Sequence, residues 1–209
     1  MLISYTLRPQ LNKKKNNMSQ VSYSDFVRRL FNRSGDPSKD FAHAILGIVT
    51  EIYEFQNATD EVNAMEEAGD LTFYDEALRQ VVQDHTAVGN LPAPEALRAK
   101  HLGDLFVHAY ETDADTVIRQ GANKLLDQAK RWVGYGREPA DLQVVYHQAV
   151  TLSRFAREVG PHGGVFTRDQ LVSSNMAKLL KRYPGGEFDA FRALQRDLVG
   201  ERSVLEAAQ

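Results

Sequence analysis

The apolar residues of this chain recur at intervals of three and four, which is the period of an amphipathic α-helix. Phe41, Ile45, Ile48 and Ile52 follow this interval and predict a helix over residues 40–56. The same period predicts further helices over residues 23–31, 59–84, 93–110, 113–133, 140–158, 167–183 and 188–205. No segment alternates apolar and polar residues as a half-buried strand would. The chain is therefore predicted to be all-α.

Turn and cap residues indicate how the chain is organised. Thr167 and Gln170 have the spacing of a capping box, which predicts a helix start at this point. Residues 1–17 are basic and polar and lack the apolar region of a secretory signal, so we expect a disordered N-terminal extension. Residues 18–209 have the length and composition of one helical domain.

The composition excludes several kinds of site. The 209 residues include no cysteine, which rules out disulfides, iron–sulfur clusters and thiolate zinc sites. The formal net charge of −3 gives no overall attraction to nucleic acid polymers or membranes. No apolar run approaches the roughly eighteen residues that a membrane span requires. We therefore expect a cytoplasmic protein whose partners are neither nucleic acid polymers nor membranes.

Two pairs of carboxylates are the main chemical feature of the sequence. Glu51 and Glu54 form one pair, and Glu67 and Asp70 form the other after a gap of twelve residues. The i, i+3 spacing places both members of a pair on one helix face, where like charges repel. A bound cation would relieve this repulsion, and ligands that are all oxygen favour Mg²⁺ or Mn²⁺ over zinc. Glu66 also lies one helical turn from Asp70, so spacing leaves the choice between Glu66 and Glu67 open.

A basic stripe near the C-terminus supplies the complementary charge. Asn175, Lys178 and Arg182 fall at i, i+3 and i+7 of one predicted helix. Lysine and arginine in this arrangement could hold phosphate oxygens, and asparagine could bind phosphate or sugar. Both the acids and the basic stripe are also compatible with solvated helix faces. The residues alone therefore leave a metal and polyphosphate site and a solvated surface both open.

Three sequence blocks, taken in order, resemble the all-α NTP pyrophosphohydrolase superfamily, which comprises the MazG-like proteins and their dimeric dUTPase and phosphoribosyl-ATP pyrophosphohydrolase relatives. The pairs Glu51-x-x-Glu54 and Glu67-x-x-Asp70 look like the superfamily's acidic signature. The helix from Glu67 to Tyr74 is similar to its "ElGDxxxY" motif. Residues 175–188 look like the "NxxKLxxRYPxGF" element of small phage and bacterial members. Arg196-Asp197-Leu198, followed by Glu201, resembles the tail of some of them.

The resemblance implies a fold, a reaction and a set of roles. The expected fold is a MazG-like helical bundle in which residues 85–165 form an inserted helical segment. The implied reaction is metal-dependent hydrolysis of a (d)NTP to the monophosphate and pyrophosphate, with Mg²⁺, or Mn²⁺ in its place, as cofactor. The implied partner is a second copy of the chain, in a homodimer or homotetramer. The implied catalytic metal ligands are Glu51, Glu54, Glu67 and Asp70, and Glu54 would also orient or deprotonate the attacking water. The implied substrate-binding residues are Asn175, Lys178, Arg182 and Tyr183.

Several alternatives remain open at this stage. The enzyme could be a dUTPase or a purine-selective member acting on dGTP or GTP, and the chain could instead be a non-catalytic helical interaction module. Asn123-Lys124, followed by Lys130-Arg131, is a weaker rival for the basic helix of the family. The six histidines show no HExxH spacing, so we expect them at the surface or at the core edge.

Overall fold

The computed structural model describes residues 21–86, 89–96 and 100–207 of the chain. Within these ranges it contains nine α-helices and no strand, which confirms the predicted all-α class. The helices are α1 (Tyr23–Leu30), α2 (Pro37–Gln56), α3 (Glu61–Thr86), α4 (Lys100–Glu111), α5 (Ala114–Tyr135), α6 (Leu142–Val159), α7 (Arg168–Arg182), α8 (Ala190–Leu194) and α9 (Leu198–Glu206). The prediction made for residues 1–17 lies outside the described residues.

The centre of the fold is the hairpin formed by α2 and α3, which pack against each other more extensively than any other described pair of helices. The apolar stripe predicted for α2 faces inward, because Phe41, Ile45, Ile48 and Ile52 are all 0% exposed. Burying side chains of this size stabilises the folded state by about 1.5–3 kcal/mol each. The side chain of Asp36 caps the start of α2 by accepting a hydrogen bond from a backbone N–H in the first turn.

The segment predicted as an insert packs onto this central hairpin. Helix α5 contacts α2, and α6 contacts both α2 and α3. Ile118 of α5 and Tyr146 of α6 belong to the same hydrophobic core as the central hairpin. Helix α7 packs against α3, and α9 packs against α7. Among the described helices, none combines the length and apolar character that a membrane crossing needs.

Two predicted helices are divided in the structure. The helix predicted over residues 93–110 begins later, as α4 at Lys100, after a short 3-10 turn at Pro94–Ala96. The helix predicted over residues 188–205 is broken into α8 and α9. The break occurs because Asp197 caps α9 by accepting a hydrogen bond from the backbone N–H of Gly200 at 2.9 Å. No proline or paired glycine marks this break, so hydrophobic periodicity alone missed it.

Candidate functional site

Three of the predicted metal ligands lie together where α2 faces α3. Glu51 and Glu54 are one turn apart on α2, and Glu67 lies opposite them on α3. One carboxylate oxygen from each residue lies within 4.8 Å of the corresponding oxygens of the other two. Oxygens that bind one hard divalent ion are separated by at most twice the metal–oxygen distance, roughly 4 to 5 Å. The donor set and its spacing therefore fit an ion such as Mg²⁺ or Mn²⁺.

Two glycines permit the close approach of the helices that carry these groups. A Cβ atom on Gly47 of α2 would lie 2.4 Å from ring carbons of Tyr74 on α3. A Cβ atom on Gly69 of α3 would lie 3.2 Å from the Cβ of Asn175 on α7. Larger residues at these positions would push the helices apart. The glycine in the Glu-Ala-Gly-Asp segment therefore has a packing role beside the acids.

The acids repel one another strongly because they are partly buried. Burial, followed by the charges of Asp70, Glu54 and Glu67, raises the pKa of Glu51 to about 10. Burial and the charge of Asp70 raise the pKa of Glu67 to about 7, although its hydrogen bond with Glu51 lowers it. Glu67 also accepts a hydrogen bond of 2.6 Å from Asn63. The carboxyl of Glu51 thus retains its proton at neutral pH and that of Glu67 is about half protonated, and a bound cation would displace these protons.

Asp70, the fourth predicted ligand, is paired with α7. Its Oδ1 accepts a hydrogen bond from Asn175 at 2.7 Å, and its Oδ2 lies 2.5 Å from Lys178 Nζ. The side chain of Lys178 is 0% exposed, and its Nζ also lies 3.3 Å from Glu66. Burial lowers the pKa of Lys178, but the charges of Asp70 and Glu66 raise it by more. Glu67 therefore joins the acid cluster, whereas Glu66 faces the buried lysine.

Arg182 is held by a carboxylate to which the sequence analysis assigned no role. Its Nε and Nη2 donate to the two oxygens of Glu201 on α9, at 3.0 and 2.5 Å. Glu201 is only 2% exposed, and it also accepts a hydrogen bond of 3.0 Å from Arg196. Arg196 in turn lies 3.6 Å from Glu66. Arg196 and Glu201 lie in the segment that resembles the tail of some family members. Their charge is the feature of the sequence that could have pointed to a role in holding Arg182.

A cavity of about 210 Å³ opens beside these charges. Its charged wall consists of Glu51, Asp70, Arg182 and Arg196. The rest of the lining is mostly aromatic and includes Phe31, His43, Phe73, Tyr74, Tyr183 and Phe188. His43 stacks on Phe31 with ring centroids 4.5 Å apart, and burial lowers its pKa. Tyr183, predicted to contact substrate, is 5% exposed and lies in this wall.

The basic residues of α5, which are the alternative to those of α7, pair with an acid of their own helix. Lys130 and Arg131 both pair with Asp127 of the same helix, at 2.9 and 2.7 Å. Their side chains are 63% and 56% exposed. This arrangement is that of a solvated helix face. The basic residues that the structure brings to the acid cluster come from α7 and from the segment that follows it.

Comparison of the chain with protein-family models, with curated proteins and with solved structures gives no match. The resemblance to pyrophosphohydrolases therefore rests on its motif residues alone. The function has to be inferred from the geometry of the site.

Proposed function

We propose that this protein hydrolyses a nucleoside triphosphate to the monophosphate and pyrophosphate, using Mg²⁺ or Mn²⁺. The observation that carries the proposal is the cluster of Glu51, Glu54 and Glu67 carboxylates within 4.8 Å of one another. This cluster lies next to Asp70, which is bound by Lys178, and next to a cavity lined by aromatic rings and two arginines. Cation ligands, anion-binding groups and an aromatic cavity together match the three chemical parts of a nucleotide–metal complex.

The acids are the residues that would hold the ion. Glu51, Glu54 and Glu67 form the close group, and Asp70 is near enough to raise the pKa of both Glu51 and Glu67. A divalent ion held there would neutralise phosphate charge and would lower the pKa of a bound water. Lys178 contacts Asp70 from α7 and holds that carboxylate in place. Burial makes these contacts stronger than they would be in water.

The phosphate chain would lie against the arginine side of the site. A guanidinium has five N–H donors, and the fork from Arg182 to Glu201 uses two of them. The remaining donors of Arg182 can bind a phosphate without releasing Glu201. Arg196 is 40% exposed at the same cavity, so we include it among the phosphate-binding residues. Positive groups placed beside the leaving pyrophosphate stabilise the charge that develops there.

The reaction that these residues would support is a displacement at the α-phosphorus. The oxygen of a water molecule bonds to this phosphorus, and the bond from it to the bridging oxygen breaks. Pyrophosphate leaves with that oxygen, and one proton of the water passes to a carboxylate. Glu54 is the best placed to accept it, because it is the most exposed member of the cluster.

The base would occupy the aromatic cavity. Phe31 and His43 present stacked rings there, and Tyr74 adds an edge contact to His43 at 6.0 Å between centroids. Aromatic walls stack on any base, whereas polar groups select among bases. The positions of the motif residues on α2, α3 and α7 support assignment of the bundle to the MazG-like type.

A homodimer or homotetramer is part of the proposal. Two apolar side chains of α2, Leu46 and Tyr53, are 51% and 42% exposed, and Tyr53 directly precedes Glu54 of the acid cluster. A second copy that covers this face would bury both and would close the solvent side of the site. Light scattering on the purified protein should therefore give a mass at least twice that of the chain, and a monomer would contradict this part.

The reaction is tested by incubating the protein with Mg²⁺ and a panel of canonical and modified NTPs and dNTPs, with ion-exchange separation of the products. We expect monophosphate and pyrophosphate in equal amounts from a subset of the panel. Turnover of dUTP alone would identify a dUTPase, and turnover of dGTP or GTP alone a purine-selective enzyme. Intact triphosphates throughout, with Mn²⁺ also tried, would contradict the proposal and favour an interaction module.

A further inference from the structure

A chain of hydrogen bonds links α1 to the acidic side of α3 through a residue of α7. The hydroxyl of Tyr23, the first residue of α1, donates to Oδ1 of Asn175 at 3.2 Å. Nδ2 of Asn175 donates in turn to Oδ1 of Asp70 at 2.7 Å. Tyr23 lies outside the sequence blocks that resemble the pyrophosphohydrolases, and the proposed hydrolysis gives it no role. The hydrogen bonds therefore connect a proposed metal ligand to a helix for which the sequence indicates no function.

The amide of Asn175 has one orientation that satisfies both of its neighbours. Burial and the charges of Asp70 and Glu76 raise the pKa of Tyr23 well above its ordinary value, so the hydroxyl keeps its proton and can donate. A carboxylate only accepts hydrogen bonds, so the amide nitrogen faces Asp70 and the amide oxygen faces Tyr23. The reversed amide would place its oxygen against the carboxylate of Asp70. The hydroxyl of Tyr23 thus stabilises the orientation in which the amide donates to Asp70.

Packing holds Asn175 in this position. Asn175 is only 1% exposed, so its amide does not turn to solvent in place of these partners. A Cβ atom on Gly69 would lie 3.2 Å from the Cβ of Asn175, so α3 and α7 approach each other closely at this point. The side chain of Ser22 caps α1 by accepting a hydrogen bond from the backbone N–H of Asp25 at 3.1 Å, which fixes the helix start that carries Tyr23. The three helices therefore hold the hydrogen-bonded groups in one arrangement.

Asp70 can still bind an ion while it is held in this way. Asn175 donates to its Oδ1 and Lys178 to its Oδ2, and each carboxylate oxygen has two lone pairs. One lone pair on each oxygen therefore remains for an ion. We propose that Tyr23 is a positioning residue of the metal site, which acts through Asn175 to orient Asp70 toward the ion. This inference rests on the proposed function, because it takes Asp70 as a ligand beside the three clustered acids.

The test is titration of the protein with Mn²⁺ in the absence of nucleotide, with the free ion followed by its paramagnetic resonance signal. Tyr23→Phe keeps the ring that stacks on Phe26 and removes only the hydroxyl. We expect the affinity for Mn²⁺ to fall by about tenfold, which is typical of the loss of a group that orients a metal ligand. Tyr110→Phe is the matched control, because Tyr110 is 94% exposed, and it should bind Mn²⁺ as the wild type does. Circular dichroism checks the fold of each variant.

A double-mutant cycle separates positioning from a general effect on the fold. Asn175→Ala removes the amide through which Tyr23 would act, so adding Tyr23→Phe to it should change the affinity by less than about twofold. Wild-type affinity in Tyr23→Phe, or the same tenfold loss with and without Asn175, would overturn the inference.

Turnover of the wild type distinguishes this failure from failure of the proposed function. A wild type that binds Mn²⁺ and hydrolyses a triphosphate, together with either of those outcomes, would remove the role of Tyr23 alone. A wild type that neither binds Mn²⁺ nor hydrolyses any triphosphate would overturn the proposed function, and this inference with it.

Discussion

Two faces of the same helix, α3, carry buried carboxylates in opposite electrostatic surroundings. On one face, Glu67 lies against Glu51 and Glu54, and each carboxylate raises the cost of charging the others. On the other face, Asp75 lies against Arg157 and Ser153, in a wall that carries both arginines and acids. The first face gathers acids, and the second carries both signs of charge.

The charges around each carboxylate determine which kind of ligand its face would accept. A buried group is stable when its charge is matched by neighbours, and an unmatched cluster persists where a ligand supplies the missing charge. Asp70 provides the internal reference, because Lys178 already compensates it. The face with Glu67 is therefore suited to a cation, whereas Asp75 already has a cationic neighbour in Arg157.

The largest expected effect comes from the acid face. Glu67→Gln keeps the shape of the side chain and the acceptor for Asn63 but removes one ligand charge. Turnover should fall by about 10²–10³-fold, the usual cost of one preorganised group at the reacting centre. The same substitution should raise the melting temperature in EDTA, because it relieves repulsion. Turnover and thermal unfolding are the two measurements.

Glu61→Gln on the same helix is the matched control, because Glu61 is exposed. It should leave both turnover and melting temperature unchanged. If Glu67→Gln behaved like Glu61→Gln in both measurements, the acids would be a solvated face.

The next largest effect is expected at Lys178, the buried lysine that pairs with Asp70. Lys178→Met removes the compensating charge, so the free energy of unfolding should fall by about 3 kcal/mol, as when one partner of a buried ion pair is lost. The double variant Lys178→Met/Asp70→Asn removes both charges and should recover part of this loss. Urea unfolding measures all three proteins. A single variant as stable as the wild type would show that Asp70 does not depend on Lys178.

A smaller effect, on the KM for the triphosphate, is expected from Glu201, which binds Arg182 and Arg196. Glu201→Gln removes the charge-assisted fork to Arg182 and the contact with Arg196. The KM for the triphosphate should rise by about tenfold with a smaller change in kcat, because both arginines lose their fixed positions. Glu206→Gln, on the exposed side of α9, is the control and should change neither constant. A fall in kcat at constant KM would instead place Arg182 at the reacting phosphorus.

The sequence predicts features that depend on local spacing. The helix predicted over residues 40–56 is observed as α2, and the capping box of Thr167 and Gln170 is present at the start of α7. The i, i+3 spacing also places Glu51 and Glu54 on the same face as expected. Periodicity and caps act within one or two helical turns, so they can be read from neighbouring residues.

Features that depend on tertiary contacts could not be read in this way. The sequence assigns Lys178 and Arg182 to one basic stripe, yet Lys178 is fully buried against Asp70, and Arg182 is bound to Glu201. Spacing alone also could not show that Glu67 lies with Glu51 and Glu54 while Glu66 faces Lys178 of α7. Partners more than a hundred residues apart, such as Asp70 and Lys178, follow from how the helices meet.

The smallest expected effect is that of Mg²⁺ on the pH dependence of stability, a dependence to which both faces of α3 contribute. The folded pKa of Glu67 is about 7, raised from an ordinary value of 4.5, so the folded protein binds more protons than the unfolded chain between these pH values. Stability should therefore decrease as pH rises from about 4.5 to 7, and Glu51, with a pKa of about 10, extends the decrease to higher pH. Asp75, raised from 3.8 to about 7, contributes in the same direction.

Mg²⁺ should offset only the part of this decrease in stability that comes from the acid face, because a cation supplies the positive charge that Glu51 and Glu67 lack. The rise in melting temperature on adding Mg²⁺ should thus be a few degrees, on the scale of about 1 kcal/mol, above pH 7 and close to zero near pH 4.5. Asp75→Asn should flatten the pH dependence in EDTA and leave the effect of Mg²⁺ unchanged, whereas Glu67→Gln should reduce the effect of Mg²⁺. Thermal unfolding across this pH range, with and without the ion, checks both variants. An effect of Mg²⁺ that vanished in Asp75→Asn would show that the two faces of α3 do not act independently.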